Sequence, residues 1–502
     1  MYVEKIEIPS FRVLHDVVLE FGGVYDTQVV PLGSENGGGK STALQLIFVL
    51  LHCSAEPSRH AYLQNLLASD TGAWASDQKV IARLTIRIGG ESYALEFLSL
   101  SNRFLAEKLE SPLIAGFDGE RKMEMARSSL AQVREQLADL EQIANLPAES
   151  QAEEIRQLPW NSRWPRILQA ARTPQDVAQS LSYEIAQRRE AAKQRNVEFE
   201  ALVADWQRTT GILTALDYKY ITTYRGTPPT EQQARALVCR APHLGIAKVE
   251  ELLSSASSKV FLLGPSNQQY LFLHRDARKA LLKTKQRPET TKYPAAPTQK
   301  QRPQIEYLTS LDEAEGAMDG FYAYDWLSVE PLVRLFLSAR DEDFKNAVKS
   351  GHYGNRYTTL QEEVNNLLFG KKVRPRVNLS GNVAGVEFVI TDESGAETLL
   401  SPEDLSQGEL KRLMIYAWLR ANSASEALVL IDEIEASFHP DWQVGIVRDL
   451  HEWGPKNQYL LATHSYELCQ ALTPRHVREL QPRLRRSEAS APEVKEADAG
   501  HG

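Results

Sequence analysis

The chain has 502 residues, 42% hydrophobic and 25% charged, which is the make-up of an ordinary globular protein with room for about three domains and a large core. A formal charge of −9 excludes a generally basic nucleic-acid coat, although local basic patches stay open. Cys53, Cys239 and Cys469 are widely separated and form no CxxC, which excludes a disulfide framework and a zinc site and fits a reducing compartment.

The opening MYVEKIEIPS has no basic region followed by an apolar core, so no signal peptide is expected. The most apolar run, Ala43–Leu51, is too short to span a bilayer, and the chain reads as soluble and cytoplasmic, with no membrane partner. Tyr2–Phe21 holds two strand-like runs around Phe11-Arg12. Val29, Val30 and Leu32 then read as the end of a buried strand, and Pro31–Thr42, PLGSENGGGKST, as a glycine-rich loop ahead of a core helix over Ala43–Leu51. Gly37, Gly38 and Gly39 allow backbone N–H groups to turn inward around a phosphate. Lys40 is placed to reach β- and γ-phosphates and the Ser41 hydroxyl to ligate Mg²⁺. The first glycine of GxxxxGK[ST] falls on Ser34, with Gly33 one residue early.

Residues 80–100 alternate, with Ala82, Leu84, Ile86 and Ile88 on one face and Arg83, Thr85 and Arg87 on the other. Gly89-Gly90 turns this strand into a second, making a β-hairpin. From about 120, Met123, Ala126, Leu130, Val133, Leu137, Leu140 and Ala144 recur in alternating steps of three and four. Pro147, Pro159 and Pro165 break this run. A second charged helical run over 174–214 carries Val177, Leu181, Ile185, Leu202 and Trp206. The pair reads as an antiparallel helical hairpin, or as an ordinary amphipathic helix pair. Lys259–Leu263 is a strand candidate. Lys283–Pro303, with six basic residues, four prolines and Tyr293 alone as an aromatic platform, reads as a solvated linker or a weak contact with a nucleic-acid backbone.

Helices are expected over 326–349 and 358–369, a strand over Gly385–Ile390, a turn at Asp392–Gly395 and a short strand at Thr398–Leu400. Leu405–Glu409, LSQGE, precedes a helical pattern over Leu410–Leu419. Ala427–Ile431 is an apolar run of the kind that forms a buried parallel strand, delivering Asp432-Glu433 to its C-terminal edge. There Asp432 can hold a Mg²⁺ shell and Glu433 can polarise a water. Tyr459–His464 is another apolar strand with a histidine at its tip. Arg475, Arg478, Arg483, Arg485 and Arg486 form a basic cluster before a polar, alanine-rich end. Each piece alone is common, but the four in this order are not.

That order resembles the ABC-type ATPases of the SMC, RecF and OLD group over about 1–100 and 320–475. The resemblance implies an α/β fold of two lobes split by a helical-hairpin insertion, with an antiparallel β subdomain. It implies ATP and Mg²⁺ as ligands. Asn36, Gly37, Gly38, Gly39, Lys40, Ser41, Thr42 and Arg12 become nucleotide-binding residues, and Ser41 and Asp432 metal ligands. Glu433 becomes the catalytic base and His464 the switch histidine. Ser406, Gln407, Gly408 and Glu409 form a signature loop acting in trans, so a homodimer or higher homo-oligomer is expected, and Ser437–Pro440 resembles the D-loop. The glutamine of the Q-loop has only positional candidates, Gln232 and Gln233. The implied divisions are 1–119, an N-terminal lobe; 120–217, the insertion; 218–319, a mixed segment with the basic loop 283–303; 320–480, a C-terminal lobe; and 481–502, a disordered tail.

Lys40 and Ser406 lie 366 positions apart, which argues against a transporter subunit. Only 38 residues follow His464, too few for the TOPRIM nuclease domain of OLD proteins. The layout resembles ATPase subunits of two-gene bacterial antiphage systems (Septu, retron-associated PtuA-like and PARIS-type), which implies a partner nuclease encoded nearby. A stand-alone RecF-like DNA repair ATPase and a scaffold whose ATP site only stabilises assembly are the alternatives.

Overall fold

A computed structural model describes residues 1–22, 28–33, 37–70, 76–109, 117, 119–157, 173–226, 234–265, 268, 320–324, 329–377, 383–472 and 476–480. Asn36, Gln232, Gln233, the loop 283–303, most of the basic cluster and the tail 481–502 lie outside them. One compact unit takes in Met1–Ser99 and Val238–Gly502, the other Leu100–Leu237.

In the first unit, β1 (Tyr2–Phe11) and β2 (Leu14–Glu20) pair antiparallel, and β3 (Val29–Gly33) leads through the glycine loop to α1 (Lys40–Cys53). After α2 (His60–Leu67), β4 (Gln78–Ile88) and β5 (Glu91–Ser101) form the expected hairpin. Gly89 and Gly90 both have positive φ, 62° and 91°, the conformation that a two-residue turn matched to strand twist requires. β4 pairs antiparallel with β1, burying Leu84 and Ile86 while Arg83 and Arg87 face out.

The second unit carries α3 (Asn102–Leu109), α4 (Gly119–Ala144), α5 (Ala148–Gln157), α6 (Pro174–Ala215) and the strands β6 (Lys219–Arg225) and β7 (Ala234–Arg240), which reaches three residues into the first unit. Arg195 binds Ser129 while Arg189 binds Glu141, so α6 descends as α4 ascends, and the pair is an antiparallel hairpin. Leu140, Ile143, Ile155, Val177, Leu181 and Ile185 form its core. The seam departs from the expected one at its end: Ile143 is buried and Ala144 exposed, because the chain there turns to bring α5 against α6. Thr173 and Asp176 start α6 with a reciprocal capping box.

The chain then returns to the first unit with α7 (Ile246–Ser257), β8 (Val260–Gly264), β9 (Phe321–Ala323), α8 (Glu330–Ser350) and α9 (Arg356–Leu367). Next come the strands β10 (Lys372–Val377), β11 (Val383–Thr391) and β12 (Glu397–Leu400). After them run α10 (Gln407–Ala421), β13 (Leu428–Asp432), α11 (Pro440–Trp453), β14 (Gln458–Ala462), α12 (Tyr466–Gln470) and β15 (Arg478–Glu479). β10–β12 make a small antiparallel sheet. Its edge strand β10 was not foreseen, because Pro375 and three basic residues hide the alternation, and an edge is where a strand tolerates proline.

The centre is a parallel sheet in the order β15-β3-β14-β13-β8-β9. Every residue of β13 and β14 is buried, as a sheet covered on both faces demands. Val429, Ile431, Tyr459 and Leu461 pack with Phe336 of α8, Met414 of α10 and Leu450 of α11. α1 packs on β8, β13 and β14, which leaves the intervening Leu428, Leu430 and Leu460 to its side. Among the described residues no helix is long and apolar enough to cross a membrane.

Leu140 is fully buried in the hairpin core. Leu140→Ala should cost about 2–5 kcal/mol of local stability, measured as faster limited proteolysis within α4–α6. An unchanged cleavage rate would contradict the packing.

Candidate functional site

The register of the parallel sheet sets the site. Leu32 of β3, Ala462 of β14 and Asp432 of β13 stand on one rung, and Ile431 pairs with Leu263 of β8. The C-terminal ends of four strands are therefore level. The glycine loop, Asp432-Glu433, His464 and the segment after Gly264 all leave the sheet along one edge, where open α/β sheets bind ligands.

On that edge Gly39 caps α1 in the left-handed conformation, φ 84°. A Cβ there would lie 2.5 Å from Leu14 Cδ2, so this position admits only glycine. Lys40 is 5% exposed, and burial holds its ammonium below the ordinary range against the charges of Asp432 and Glu435. Its Nζ lies 3.4 Å from His464 Nδ1. Asp432 is buried, and desolvation, with the charges of Glu433 and Glu435, pushes its carboxyl up to about 6 in spite of a hydrogen bond from the Ser41 hydroxyl and the charge of Lys40. Ser41 and Asp432 thus meet as a hard-oxygen pair beside a buried cation, the donor set that fits Mg²⁺ on a phosphate. Among the described residues no group of three His, Cys, Asp or Glu could hold a metal alone.

Glu433 has φ 51°, a left-handed conformation that costs a non-glycine residue about 1–3 kcal/mol and persists only where the surroundings enforce it. They do. Its N–H donates to Ala462 O at 2.9 Å, and its carbonyl accepts from Tyr324 Oη at 2.9 Å and Lys411 Nζ at 3.0 Å. Lys411, on α10, also reaches Ala436 O at 3.0 Å and stacks its ammonium over Tyr324, 3.7 Å from the ring centroid. Glu435, two residues on, accepts the His464 backbone N–H at 2.7 Å.

One residue of this site was missed from sequence. Gln268 donates from Nε2 to Asp432 Oδ2, and its Oε1 is buried without a partner among the described residues. A Cβ on Gly264 would lie 2.8 Å from that Oε1, so Gly264 makes the room. The available signal was a glutamine five residues past the strand at 259–263 with a glycine between. Gln232 and Gln233, favoured by position, fall outside the described residues.

The signature residues sit at the start of α10. Ser406 is its N-cap, accepting from Glu409 N at 3.2 Å while Glu409 Oε2 takes Ser406 N at 3.1 Å. Ser406 and Gln407 are exposed; Gly408 is buried, its missing Cβ 2.8 Å from Ser437 O. Glu409 is neutralised by Lys371 at 2.5 Å. Burial pushes the carboxyl of Glu409 up, but the bonds from Lys371 and Ser406 outweigh it and hold the group below its usual range. Gly37 is exposed, Gly38 buried and Thr42 half-buried at the glycine loop. Arg12 lies in the turn before Leu14, the residue that crowds Gly39, and one nitrogen of its guanidinium donates to Leu66 O at 3.1 Å and to Ser69 Oγ, at the end of α2.

Residues 267–470 match the family described as "AAA domain, putative AbiEii toxin, Type IV TA system". The match takes in Gln268, Ser406, Asp432 and His464 and leaves out Lys40. Among solved structures, the chain is similar to an SMC head bound to the C-winged helix domain of ScpA, at 11% identity over 94% of this chain and 92% of that one, TM-score 0.35. It is also similar to a Pyrococcus furiosus Smc head with an extended coiled coil bound to the C-terminal domain of ScpA, at 12% identity over 94% and 91%, TM-score 0.29. A third is a Pyrococcus yayanosii Smc head with a coiled coil and joint, at 13% identity over 94% of each chain, TM-score 0.30. The fold is mixed α/β, with parallel and antiparallel sheets.

Lys411→Met should remove one of the donors to the Glu433 carbonyl, which keeps Tyr324 and Ala436 N, and the ammonium bond to Ala436 O, at about 1–3 kcal/mol in all. A lowered thermal midpoint is expected, and an unchanged one would count against the role of Lys411 in holding the Glu433 turn.

Proposed function

We propose that this chain binds and hydrolyses ATP as an SMC-like ABC-type ATPase, working as a multimer. The observation that carries the reading is the meeting of Lys40, Ser41, Asp432, Glu433, Gln268 and His464 on one edge of the sheet. The glycine loop would wrap the phosphates with Lys40 as cation, and Ser41 and Asp432 would hold Mg²⁺. When bound, the ion would neutralise charge on the transferring phosphoryl group. Glu433, half-exposed and fixed in direction by its backbone, would take the proton of the attacking water as the bond to the ADP oxygen breaks. His464, which faces Lys40, would meet the γ-phosphate.

Lys40→Ala should abolish the thermal stabilisation that ATP gives the wild type. Glu433→Gln should keep that shift and lose turnover by about 10²–10⁴-fold, since an amide cannot accept the proton. A retained ATP shift in Lys40→Ala would refute the site, and near-normal turnover in Glu433→Gln would reassign the base.

The multimer reading is supported by the signature: Ser406 and Gln407 are exposed at a helix N-terminus, where backbone N–H groups favour a phosphate. Mixing Ser406→Arg with Lys40→Ala, each inactive alone, should restore part of the activity, because one composite site in the mixed dimer is intact. No recovery in verified mixed dimers would place the whole site within one chain.

For the finer role we favour a bacterial antiphage system in which this ATPase controls a partner nuclease. Two features support it. The matched family is described as an AAA domain, "putative AbiEii toxin, Type IV TA system". The α4–α6 hairpin has charged faces on a core of its own, suited to docking rather than chemistry.

A further inference from the structure

We propose that Glu435 is a positioning residue: its carboxylate latches the backbone of the His464 loop to the Glu433 turn, so that base and switch histidine are held as one unit. The inference rests on the ATPase reading above for its kinetic consequence, and on geometry for the latch itself.

Each side of the latch has hydrogen bonds of its own. On the β13 side, Ala436 N donates to Glu433 O at 3.1 Å, Phe438 N to Glu435 O at 3.0 Å, and Lys411 clamps the carbonyls of Glu433 and Ala436. On the β14 side, Ser465 N donates to Thr463 Oγ1 at 2.9 Å, and Ser465 Oγ caps α12 through Leu468 N at 2.9 Å. The amide between those fixed points is that of His464, and Glu435 Oε1 accepts it at 2.7 Å. The bond depends on side-chain length more than on charge, because any acceptor oxygen at this reach can take that N–H. It spans the gap between two strand ends and sets the direction in which the imidazole leaves the backbone, toward Lys40 at 3.4 Å.

The same geometry argues against Glu435 as the base. Oε1 is occupied by the amide, and Oε2 is buried from solvent with no hydrogen-bond partner among the described residues, so neither is placed to take a proton from an entering water. Glu433 and Glu435 are both half-exposed as residues, so the two oxygens of Glu435 carry the distinction. The charge of Glu435 nevertheless acts on Lys40 more strongly than that of Glu433, which brings it into the site. Two carboxylates two residues apart thus divide the work: one faces the water and the other holds the histidine.

The test separates reach from charge. Glu435→Gln keeps an acceptor oxygen and loses the charge; Glu435→Asp keeps the charge and falls one methylene short. In the full chain, hydrogen exchange of the peptide containing Thr463–Ser465 should accelerate about tenfold or more in Glu435→Asp and stay near wild type in Glu435→Gln. With Mg²⁺ and ATP, kcat should fall about 10–100-fold in Glu435→Asp, with KM within about threefold, and little in Glu435→Gln, as expected when a reacting group is misplaced rather than removed. Adding Glu435→Asp to His464→Ala should cost nothing further, because both act through the same side chain. The proposal is overturned if exchange is unchanged in Glu435→Asp, if Glu435→Gln is as slow as Glu435→Asp, or if the losses add. Should the wild type hydrolyse no ATP, the ATPase reading fails by itself, and the exchange comparison still decides the latch.

Discussion

The in-register alignment of β3, β14 and β13 is the constraint on which the rest depends. Parallel strands repeat about every 3.3 Å, and a slip of one residue would turn each side chain to the opposite face. With Leu32, Ala462 and Asp432 on one rung, the glycine loop, the histidine and the acidic pair start from the same level. The register is secured by full burial of β13 and β14, whose aliphatic alternation fits α1 on one side and the α8–α10–α11 core on the other. Slipping β13 by one residue would exchange its two buried faces and turn Asp432 away from Ser41.

The site is electrostatically uncomfortable on its own. Burial weakens the charge of both Lys40 and Asp432, and three carboxylates, Asp432, Glu433 and Glu435, crowd the same edge. Such perturbation by desolvation and like charge gathers where a site is built to meet a ligand, and structural ion-pair networks produce it as well. The backbone tells the same story, since Glu433 occupies a left-handed conformation that Tyr324, Lys411 and Ala462 hold in place.

The parts legible in the sequence were those with local signatures. The hairpin turn at Gly89-Gly90, the helix after LSQGE and the apolar strands each carry their own turn chemistry or periodicity, and these formed where expected. What stayed hidden was pairing across long separations. Gln268 becomes meaningful only once β8 lies beside β13, and nothing in its own neighbourhood announces Asp432. Lys411 and Lys371 read as ordinary helix and loop lysines until their partners, the Glu433 carbonyl and Glu409, are placed. Arg12 shows the converse: a motif-like position whose side chain is engaged by Leu66 and Ser69 of the neighbouring helix.

Assembly of this site is therefore a property of nearly the whole chain. β3 pairs with β14 across more than 400 positions, and Val3 exchanges two hydrogen bonds with the side chain of Gln458, at 2.7 and 2.9 Å. Contacts of such separation are slow to form, because loop-closure entropy is spent before they contribute. The α4–α6 hairpin lowers that difficulty in one respect: its cap is encoded at Thr173 and Asp176, its core is its own, and its cross-helix bonds span 48 and 66 positions rather than more than 400. That core is distinct from the one that packs on the parallel sheet, so the length and surface of the hairpin are free of the register on which the candidate site depends.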